Sequence, residues 1–251
     1  MHILLTNDDG FFAPGLQILY RVLSLNTNHK VSIVAPESQR SATGHAITLF
    51  EPLFLVKQEL NNSQGYAVRG TPADCVKLAL QGELVSPKPD LVISGINQGP
   101  NLGTDVFYSG TVSAAMEAVL LGVPALAVSM ASFTFQEFEP AAKFLIGLIK
   151  KITEAGERGL ININFPALPE KEWRGVKVTK LGKAVYENVF ETRIDPHGRT
   201  YYWQAGTLAP DNENDTDLKA IQEGFISLTP VHSDLTDYQR LTYWQKIIEN
   251  K

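Results

Sequence analysis

The sequence predicts an α/β fold, a Rossmann-like and mostly parallel β-sheet with helices on both faces. Over the first 165 residues, short apolar runs alternate with longer segments whose apolar residues recur at helical spacing. Near-continuous apolar runs of this kind are typical of strands that helices bury from both sides. After about residue 170 the pattern changes to shorter β-like segments and a closing helix, which predicts a C-terminal β-hairpin arm and a terminal helix.

The helices and strands of the first 165 residues are predicted from the spacing of apolar residues and from helix-capping residues. The first strand is predicted at residues 2–6 and the first helix at 14–25, where leucines repeat on one face. Thr71, Pro72 and Asp74 predict the start of a helix that reaches about Gly82, since Thr is a good N-cap and Pro fits the first turn. The remaining strands are predicted at 31–35, 47–56, 66–69, 91–94, 124–129 and 160–165, with a polar turn at 61–65 and helices at 112–121 and 138–153.

The C-terminal part predicts a hairpin. Residues 186–194 and 200–203 flank Asp195-Pro196-His197-Gly198, a strong turn sequence. The aromatic run Tyr201-Tyr202-Trp203 favours docking of this arm on another subunit. The other predicted features are a strand at 176–181, an acidic loop at 211–217 and a helix at 238–248.

Composition limits the function classes. The formal net charge is −5 and no basic run is present, which argues against a broad surface for nucleic acid or anionic membranes. The single cysteine, Cys75, permits no intrachain disulfide and fits a buried helical position. With no secretion signal and no long apolar stretch, we expect a cytoplasmic protein.

Two adjacent carboxylates, Asp8 and Asp9, follow the first strand. In open α/β sheets, ligands bind at the carboxyl ends of the strands. Neighbouring carboxylates repel each other unless a cation or a shared proton intervenes, so the sequence predicts a divalent metal site at this sheet edge. An ordinary Asp-Gly turn, or capping of the next helix, is the alternative interpretation.

Three later segments are predicted to reach the same edge. They carry Ser41 in a hydroxyl-rich loop, Asn97 in a glycine-rich loop, and Ser109-Gly110-Thr111 at a helix start. Oxygen donors without a Cys or His pair favour Mg²⁺, Mn²⁺ or Ca²⁺ over Zn²⁺. A helix N-terminus offers backbone N–H groups to an anion. A hard cation beside an anion site predicts phosphate-ester chemistry.

Each residue also has a structural interpretation. Ser109 can be an N-cap and Ser41 a surface residue. His45 can act as an acid or base, or simply be a hydrogen-bonded loop residue, and the same holds for His232 with Asp234 as its partner.

Five segments together resemble the SurE family, the stationary-phase survival proteins. The resemblance runs in order and spacing from residue 1 to about 130, and more loosely to the C-terminus. The segments are TNDDG at 6–10, RSATGH at 40–45, GTPADC at 70–75, SGINQGPN at 94–101 and YSGT at 108–111.

The resemblance implies a metal-dependent nucleotidase, a phosphomonoester hydrolase that converts nucleoside 5′- and 3′-monophosphates to nucleoside and phosphate, with polyphosphate as a further substrate of some members. It implies one Mg²⁺ or Mn²⁺ ion, a cytoplasmic location and homodimers or homotetramers. We expect a single domain over 1–251, with a catalytic core at 1–170 and an oligomerisation arm at 171–251.

The resemblance also assigns roles within the site. Our own mechanistic hypothesis adds that Asp8 or Asp9 accepts the proton of water or acts as the nucleophile, and the sequence leaves both choices open. The implied metal ligands are Asp8, Asp9, Ser41 and Asn97, the implied phosphate-binding residues are Asn97, Ser109, Gly110 and Thr111, and Asn101 and His45 are further candidates.

Rival classes fit less well. A receiver domain needs a phosphoacceptor Asp after a later strand, whereas the next aspartate after Asp9 is Asp74, at a helix start. A haloacid-dehalogenase-like phosphatase needs Asp-x-Asp after the first strand, and a dinucleotide site needs a glycine pattern that Gly10 and Gly15 do not supply. A nucleotide-binding regulator without turnover stays open.

Overall fold

The computed structural model describes residues 1–60, 63–209, 211 and 213–249. Its strands are β1 His2–Thr6, β2 Lys30–Pro36, β3 Phe54–Leu60, β4 Ser63–Arg69, β5 Leu91–Gln98, β6 Ala125–Met130, β7 Leu160–Phe165, β8 Val176–Val178, β9 Tyr186–Glu187, β10 Phe190–Ile194, β11 Thr200–Gln204, β12 Thr207–Leu208 and β13 Ile226–Val231. Its α-helices are α1 Pro14–Asn26, α2 Pro72–Gln81, α3 Gly110–Leu120, α4 Phe138–Ala155, α5 Asp217–Gln222 and α6 Tyr238–Glu249. Short 3₁₀ helices lie at Gly103–Phe107 and Glu170–Glu172.

A nine-stranded sheet in the order β3-β4-β2-β1-β5-β6-β7-β13-β8 forms the centre of the molecule. The strands from β4 to β7 are all parallel. Antiparallel pairing occurs where β3 joins β4 and where β13 joins β7. This mostly parallel sheet, with the hairpin β10–β11 and helix α6 outside it, confirms the predicted fold class.

Two apolar layers hold helices against the two faces of the sheet. Helices α1 and α4 pack on one face, through residues such as Leu16, Leu19 and Leu145. Helices α2 and α3 pack on the other, through residues such as Val76 and Ala115. Because both faces are covered, the loops at the carboxyl ends of the parallel strands form the accessible edge. None of the described helices is both long and apolar enough to cross a membrane.

The structure corrects several predicted boundaries in the first part. The strand predicted at 47–56 begins only at Phe54, and β5 continues past Ser94 to Gln98. Of the polar turn predicted at 61–65, residues 61 and 62 lie outside the described residues, whereas 63–65 belong to β4. The helix predicted from Thr71 is confirmed, with Thr71 and Asp74 forming a reciprocal capping box.

The C-terminal part differs more from its prediction. The strand predicted at 176–181 ends at Val178, and the one predicted at 186–194 is split into β9 and β10. The sequence prediction missed α5, which begins within the acidic loop predicted at 211–217, and β13, which joins the central sheet beside β7. Hairpin β10–β11 and helix α6 were predicted and have no buried residues.

Candidate metal and phosphate site

The candidate site lies at the point in the sheet where the strands that follow β1 in sequence switch from one side of β1 to the other. Strand β1 is flanked by β2 on one side and β5 on the other, so the loops after these three strands meet at one edge. The loop after β1 carries Asp8 and Asp9, the loop after β2 carries Ser41, and the end of β5 carries Asn97.

Asp8 is the most constrained residue of this edge, with 5% of its surface exposed. The Thr111 hydroxyl donates a 2.6 Å hydrogen bond to its Oδ1. Burial raises the pKa of Asp8 to about 6; the Thr111 hydrogen bond opposes this rise and the charge of Asp9 adds to it. The carboxylate is therefore held in place by α3 but is poorly solvated when ionised.

Asp9 and Asn97 are joined through the end of β5. The backbone N–H of Gln98 donates to Asp9 Oδ2 at 3.0 Å. Burial raises the pKa of Asp9, and the hydrogen bond from Gln98 partly opposes that effect. The side-chain nitrogen of Asn97 donates to the Gly99 carbonyl at 2.9 Å, so the Asn97 amide oxygen is the atom it can offer to a cation.

The loop that carries Ser41 is attached to the other two parts of the site. The backbone N–H of Arg40 donates to the Asp8 carbonyl at 2.7 Å, and that of Gly44 donates to the Tyr108 carbonyl at 3.0 Å. The Ser41 side chain is exposed and accepts a 2.9 Å hydrogen bond from Gln39 Nε2. Ser41 thus lies one residue from a direct contact with Asp8, with its hydroxyl on the surface.

The N-terminus of α3 approaches Asp8 closely. Ser109 is the N-cap, with its Oγ accepting from the Val112 N–H at 3.0 Å, so its hydroxyl is used within the helix. Gly110 follows, and a Cβ there would lie 2.8 Å from the Cβ of Asp8. A glycine is therefore required for this approach, which brings the positive end of the helix dipole to the aspartate pair.

The structure places His45 against Glu117. His45 Nε2 lies 2.9 Å from Glu117 Oε2, and Lys77 Nζ lies 3.4 Å from Glu117 Oε1. Sequence reasoning missed Glu117, although a single acid within the apolar stretch of α3 is a signal of a buried polar contact.

His45 and His232 line one cavity of about 580 Å³ on the α3 side, together with Phe107, Met116 and Leu120. Asp234 accepts a hydrogen bond at 2.9 Å from the Thr236 N–H and a further one from the Tyr238 hydroxyl. The Thr236 side chain contributes most to a pKa of Asp234 lowered to about 2, followed by the Tyr238 hydroxyl and the Thr236 N–H, with a smaller effect from His232.

Asn101 is buried in a network of amides below the site. Its Nδ2 donates to Ser129 Oγ at 2.7 Å, and its carbonyl accepts from Asn162 and Asn164 at 2.8 and 3.0 Å. Its N–H donates to Asn164 Oδ1 at 2.9 Å. The structure thus places Asn101 as an anchor of the glycine-rich loop. Two asparagines alternating in an apolar strand were the available signal for this network.

A second anchor of the same loop comes from the C-terminal part. Buried Asp217 accepts from the Gly103 N–H at 2.8 Å through Oδ2 and from the Gly182 N–H at 2.9 Å through Oδ1. The sequence analysis assigned Asp217 to an acidic loop and missed this contact. The signal was Thr216, which caps α5 and directs the following acid inward.

The donor set fits a hard divalent cation. Asp8 and Asp9 offer carboxylate oxygens, and Asn97 and Ser41 offer an amide and a hydroxyl oxygen, as Mg²⁺ and Mn²⁺ prefer. The main influences on the pKa of the two aspartates are burial, hydrogen bonds and, for Asp8, the charge of Asp9; none of these main influences is a cationic side chain of the described residues. Among the described residues there is no group of three or more His, Cys, Asp or Glu side chains suited to a metal. A cation is the component that would balance this buried acid pair.

Comparison with known proteins identifies the family. The family model for survival protein SurE matches residues 3–188. The 5′-nucleotidase SurE of Desulfitobacterium hafniense (strain DSM 10664 / DCB-2) is 68% identical over 241 residues, covering 96% of this chain and 94% of that protein. The 5′-nucleotidase SurE of Carboxydothermus hydrogenoformans is 49% identical over 259 residues, covering 99% and 98%.

A solved structure agrees with these sequence matches. The crystal structure of the SurE protein from Aquifex aeolicus superimposes with a TM-score of 0.86 at 39% identity, covering 99% of this chain and 100% of that one. The matching family model, the full-length relatives and the shared fold lead to one conclusion: the chain belongs to the SurE family.

Proposed function

We propose that this chain is a phosphomonoesterase that hydrolyses nucleoside 5′- and 3′-monophosphates, with short polyphosphate as an additional substrate and one Mg²⁺ or Mn²⁺ ion as cofactor. The relatives bear the name 5′-nucleotidase, which describes a hydrolase. The single observation that carries the proposal is the contact of Thr111 with Asp8, because it joins the acid pair to the N-terminus of a helix. Cation ligands and an anion-binding helix end then lie side by side.

In the proposed reaction, water adds to phosphorus while the bond to the ester oxygen breaks, giving phosphate and a nucleoside with a free hydroxyl. The backbone N–H groups at the start of α3, at Gly110 and Thr111, bind phosphate oxygens and hold the phosphoryl group in place. Asp8 or Asp9 accepts the proton of the attacking water, and the departing ester oxygen takes up a proton from solvent to give the free hydroxyl. A divalent ion held by Asp8, Asp9, Asn97 and Ser41 would supply positive charge against the phosphoryl oxygens.

The test is phosphate release from a panel of 5′- and 3′-nucleoside monophosphates and a short polyphosphate, first in EDTA and then with Mg²⁺ or Mn²⁺ restored. We expect release that requires the metal. Phosphate release that is equal in EDTA and in metal would contradict the cofactor assignment. No release from any substrate with any metal would overturn the nucleotidase proposal.

The second candidate is a nucleotide-binding regulator that uses the same residues without turnover. It predicts metal-dependent binding of a nucleotide, measurable by calorimetry, with no phosphate released. The names of the relatives favour the enzyme. The two measurements, performed on one preparation, separate the two functions.

We further propose that the protein acts in the cytoplasm as a homodimer or homotetramer, joined through β10–β11 and α6, without membrane or nucleic-acid duplex as partner. In the described structure Tyr202, Trp203 and Trp244 are each more than half exposed, at 64%, 58% and 51% of their residue surface. Exposed aromatic area of this extent is typical of interfaces. Light scattering of the full chain tests the assembly, and a monomer would contradict it. Cell fractionation tests the location.

A further inference from the structure

One exposed aromatic ring lies directly on the backbone of the candidate site. Phe133, in the loop after β6, has 74% of its surface exposed. Its ring lies so close to Gly99 that a Cβ there would come within 2.5 Å of Phe133 Cε1. Gly99 also has a φ of +130°, which side chains rarely adopt, so its backbone conformation demands glycine. The ring thus packs with one side on the main chain while most of it faces solvent.

The backbone below this ring belongs to the proposed metal-binding segment. The Gly99 carbonyl accepts the hydrogen bond from Asn97, and the intervening Gln98 donates its N–H to Asp9. Phe133 therefore packs against Gly99, which lies two residues along the chain from the proposed ligand Asn97. Gln98, between them, binds the second proposed ligand, Asp9. Consecutive Cα atoms are about 3.8 Å apart, so this places the ring within about one nucleoside length of the site.

The loop that presents the ring is held in place by polar contacts. The Phe133 carbonyl accepts from Gln98 Nε2, whose Oε1 in turn accepts from Gln136 Nε2 at 3.1 Å. Ser132 Oγ accepts from the N–H groups of Thr134 and Phe135 at 3.1 and 2.9 Å. These bonds hold the backbone from which the ring projects, so less conformational freedom is lost when a planar ligand stacks on the ring.

We propose that Phe133 is the platform on which the nucleobase of the substrate stacks when its phosphate lies at the N-terminus of α3. This inference rests on the proposed nucleotidase function and deepens it by assigning the base-binding residue. Stacking on an aromatic side chain suits any base, because every base has a π-face. Phe133 then contributes binding affinity for nucleotides over phosphate esters that lack a base.

The cavity on the α3 side is the rival location for the base. It runs along α3 from Phe107 and Val112 to Leu120, away from the end of the helix where the phosphate is proposed to bind. Eight residues separate Val112 from Leu120, which is about 12 Å along a helix. The cavity thus begins at the first turn of α3 and extends along the helix, whereas Phe133 lies against the backbone of the proposed metal-binding segment itself. A Phe107→Ala variant tests the cavity.

The experiment compares AMP with ribose 5-phosphate, which has the same sugar phosphate ester and no base. In Phe133→Ala we expect the KM for AMP to rise about tenfold with little change in kcat, and kcat/KM for ribose 5-phosphate to stay as in the wild type. Phe133→Trp retains an aromatic ring, so its KM for AMP should stay near that of the wild type. Phe50→Ala, at a ring that is 98% exposed, is the matched control and should change neither substrate.

The outcomes separate this inference from the function on which it rests. A wild type that releases phosphate from neither ester overturns the proposed function and this inference with it. An active wild type with the same AMP to ribose 5-phosphate ratio in Phe133→Ala overturns the Phe133 assignment alone. A selective loss for AMP in Phe107→Ala, absent from Phe133→Ala, places the base in the cavity and also overturns it.

Discussion

The hydroxyl of Thr111 donates a 2.6 Å hydrogen bond to Oδ1 of Asp8, a residue 103 positions earlier in the chain. This bond joins the first turn of α3 to the end of β1 and so fixes the distance between two halves of the site. Outer contacts of this kind orient the groups that hold a metal ion. The first prediction tests the bond itself.

Thr111→Val keeps the shape of the side chain and removes the donor to Asp8. We expect the metal concentration for half-maximal activity to rise about 10- to 100-fold, because the carboxylate loses its orienting partner. Titration of Mn²⁺ into the metal-free variant measures this change. Thr111→Ser, which retains a hydroxyl, is the control and should stay near the wild type. An unchanged titration in Thr111→Val would show that Asp8 is positioned without this bond.

Asp9→Asn should abolish metal-dependent turnover and leave the fold intact. Changes outside the first coordination sphere already cost 10- to 100-fold, so loss of a proposed ligand should lower kcat/KM by at least about 100-fold. Circular dichroism and thermal unfolding in EDTA should match the wild type. The stabilisation that added metal gives to the wild type should be absent from the variant. Near-native activity of the variant would contradict the assignment of Asp9 as a metal ligand.

Gly110→Ala should reduce activity because the added methyl group would lie 2.8 Å from Asp8 Cβ and 3.0 Å from its Oδ2. We expect about 1–3 kcal/mol of destabilisation from overpacking, with at least about a tenfold loss of kcat/KM as Asp8 moves. Gly147→Ala is the matched control, since nothing lies within 4 Å of the added atom in that exposed turn of α4. That control should be active and more stable by about 0.5–1 kcal/mol. Normal kinetics in Gly110→Ala would contradict a close-packed site.

Asp74 should make stability depend on acid pH. Burial raises the pKa of Asp74, but hydrogen bonds from Thr48 and Thr71 outweigh it and leave the pKa below its ordinary value. A carboxyl with a lowered folded-state pKa stabilises the fold above the unfolded pKa, and this contribution is lost as pH falls through the folded value. Wild type should therefore lose more stability than Asp74→Asn as the pH falls below about 4.

Urea unfolding of both proteins at pH 7 and pH 3, in EDTA, measures this difference. At pH 7 the variant should be about 1–3 kcal/mol less stable, because its neutral amide is a weaker acceptor for Thr48, whose hydroxyl and N–H donate at 2.6 and 2.9 Å. Thr48→Val should change stability in the same direction. A gap between wild type and Asp74→Asn that is as large at pH 3 as at pH 7 would contradict the linkage.

Much of the parallel core could be predicted because its strands are buried on both faces. The apolar run of β1 and the exact bounds of β7 follow from that burial. Strand β5 is longer than predicted. Glycine usually weakens a strand, but at Gly95 a Cβ would come 2.2 Å from the Val128 carbonyl oxygen, so the close approach of β6 needs a glycine there. Close backbone packing between strands is a tertiary contact, and the local sequence pattern does not predict it.

Strand β13, which joins the C-terminal side of the sheet, was missed for a similar reason. Strand β13 contains Pro230, which removes a donor and ordinarily argues against a strand inside a sheet. Its pairing with β7 on one side and β8 on the other depends on long-range contacts. The same holds for the site: Asp8, Asp9 and Asn97 could be proposed from strand ends, whereas the contact of Glu117 with His45 depends on how α3 packs against the loop after β2.

Asp217, in the C-terminal part of the sequence, helps to hold a loop of the N-terminal part in place. By binding the N–H of Gly103 it restrains the loop between β5 and α3, and by binding the N–H of Gly182 it ties that loop to the chain after β8. A protein shortened to its first 170 residues would contain every proposed metal and phosphate ligand, yet it would lack this brace and two strands of the sheet. The loop between β5 and α3 therefore depends on a residue outside the catalytic core. Grafting this loop into another protein would require a carboxylate in the place of Asp217 as well.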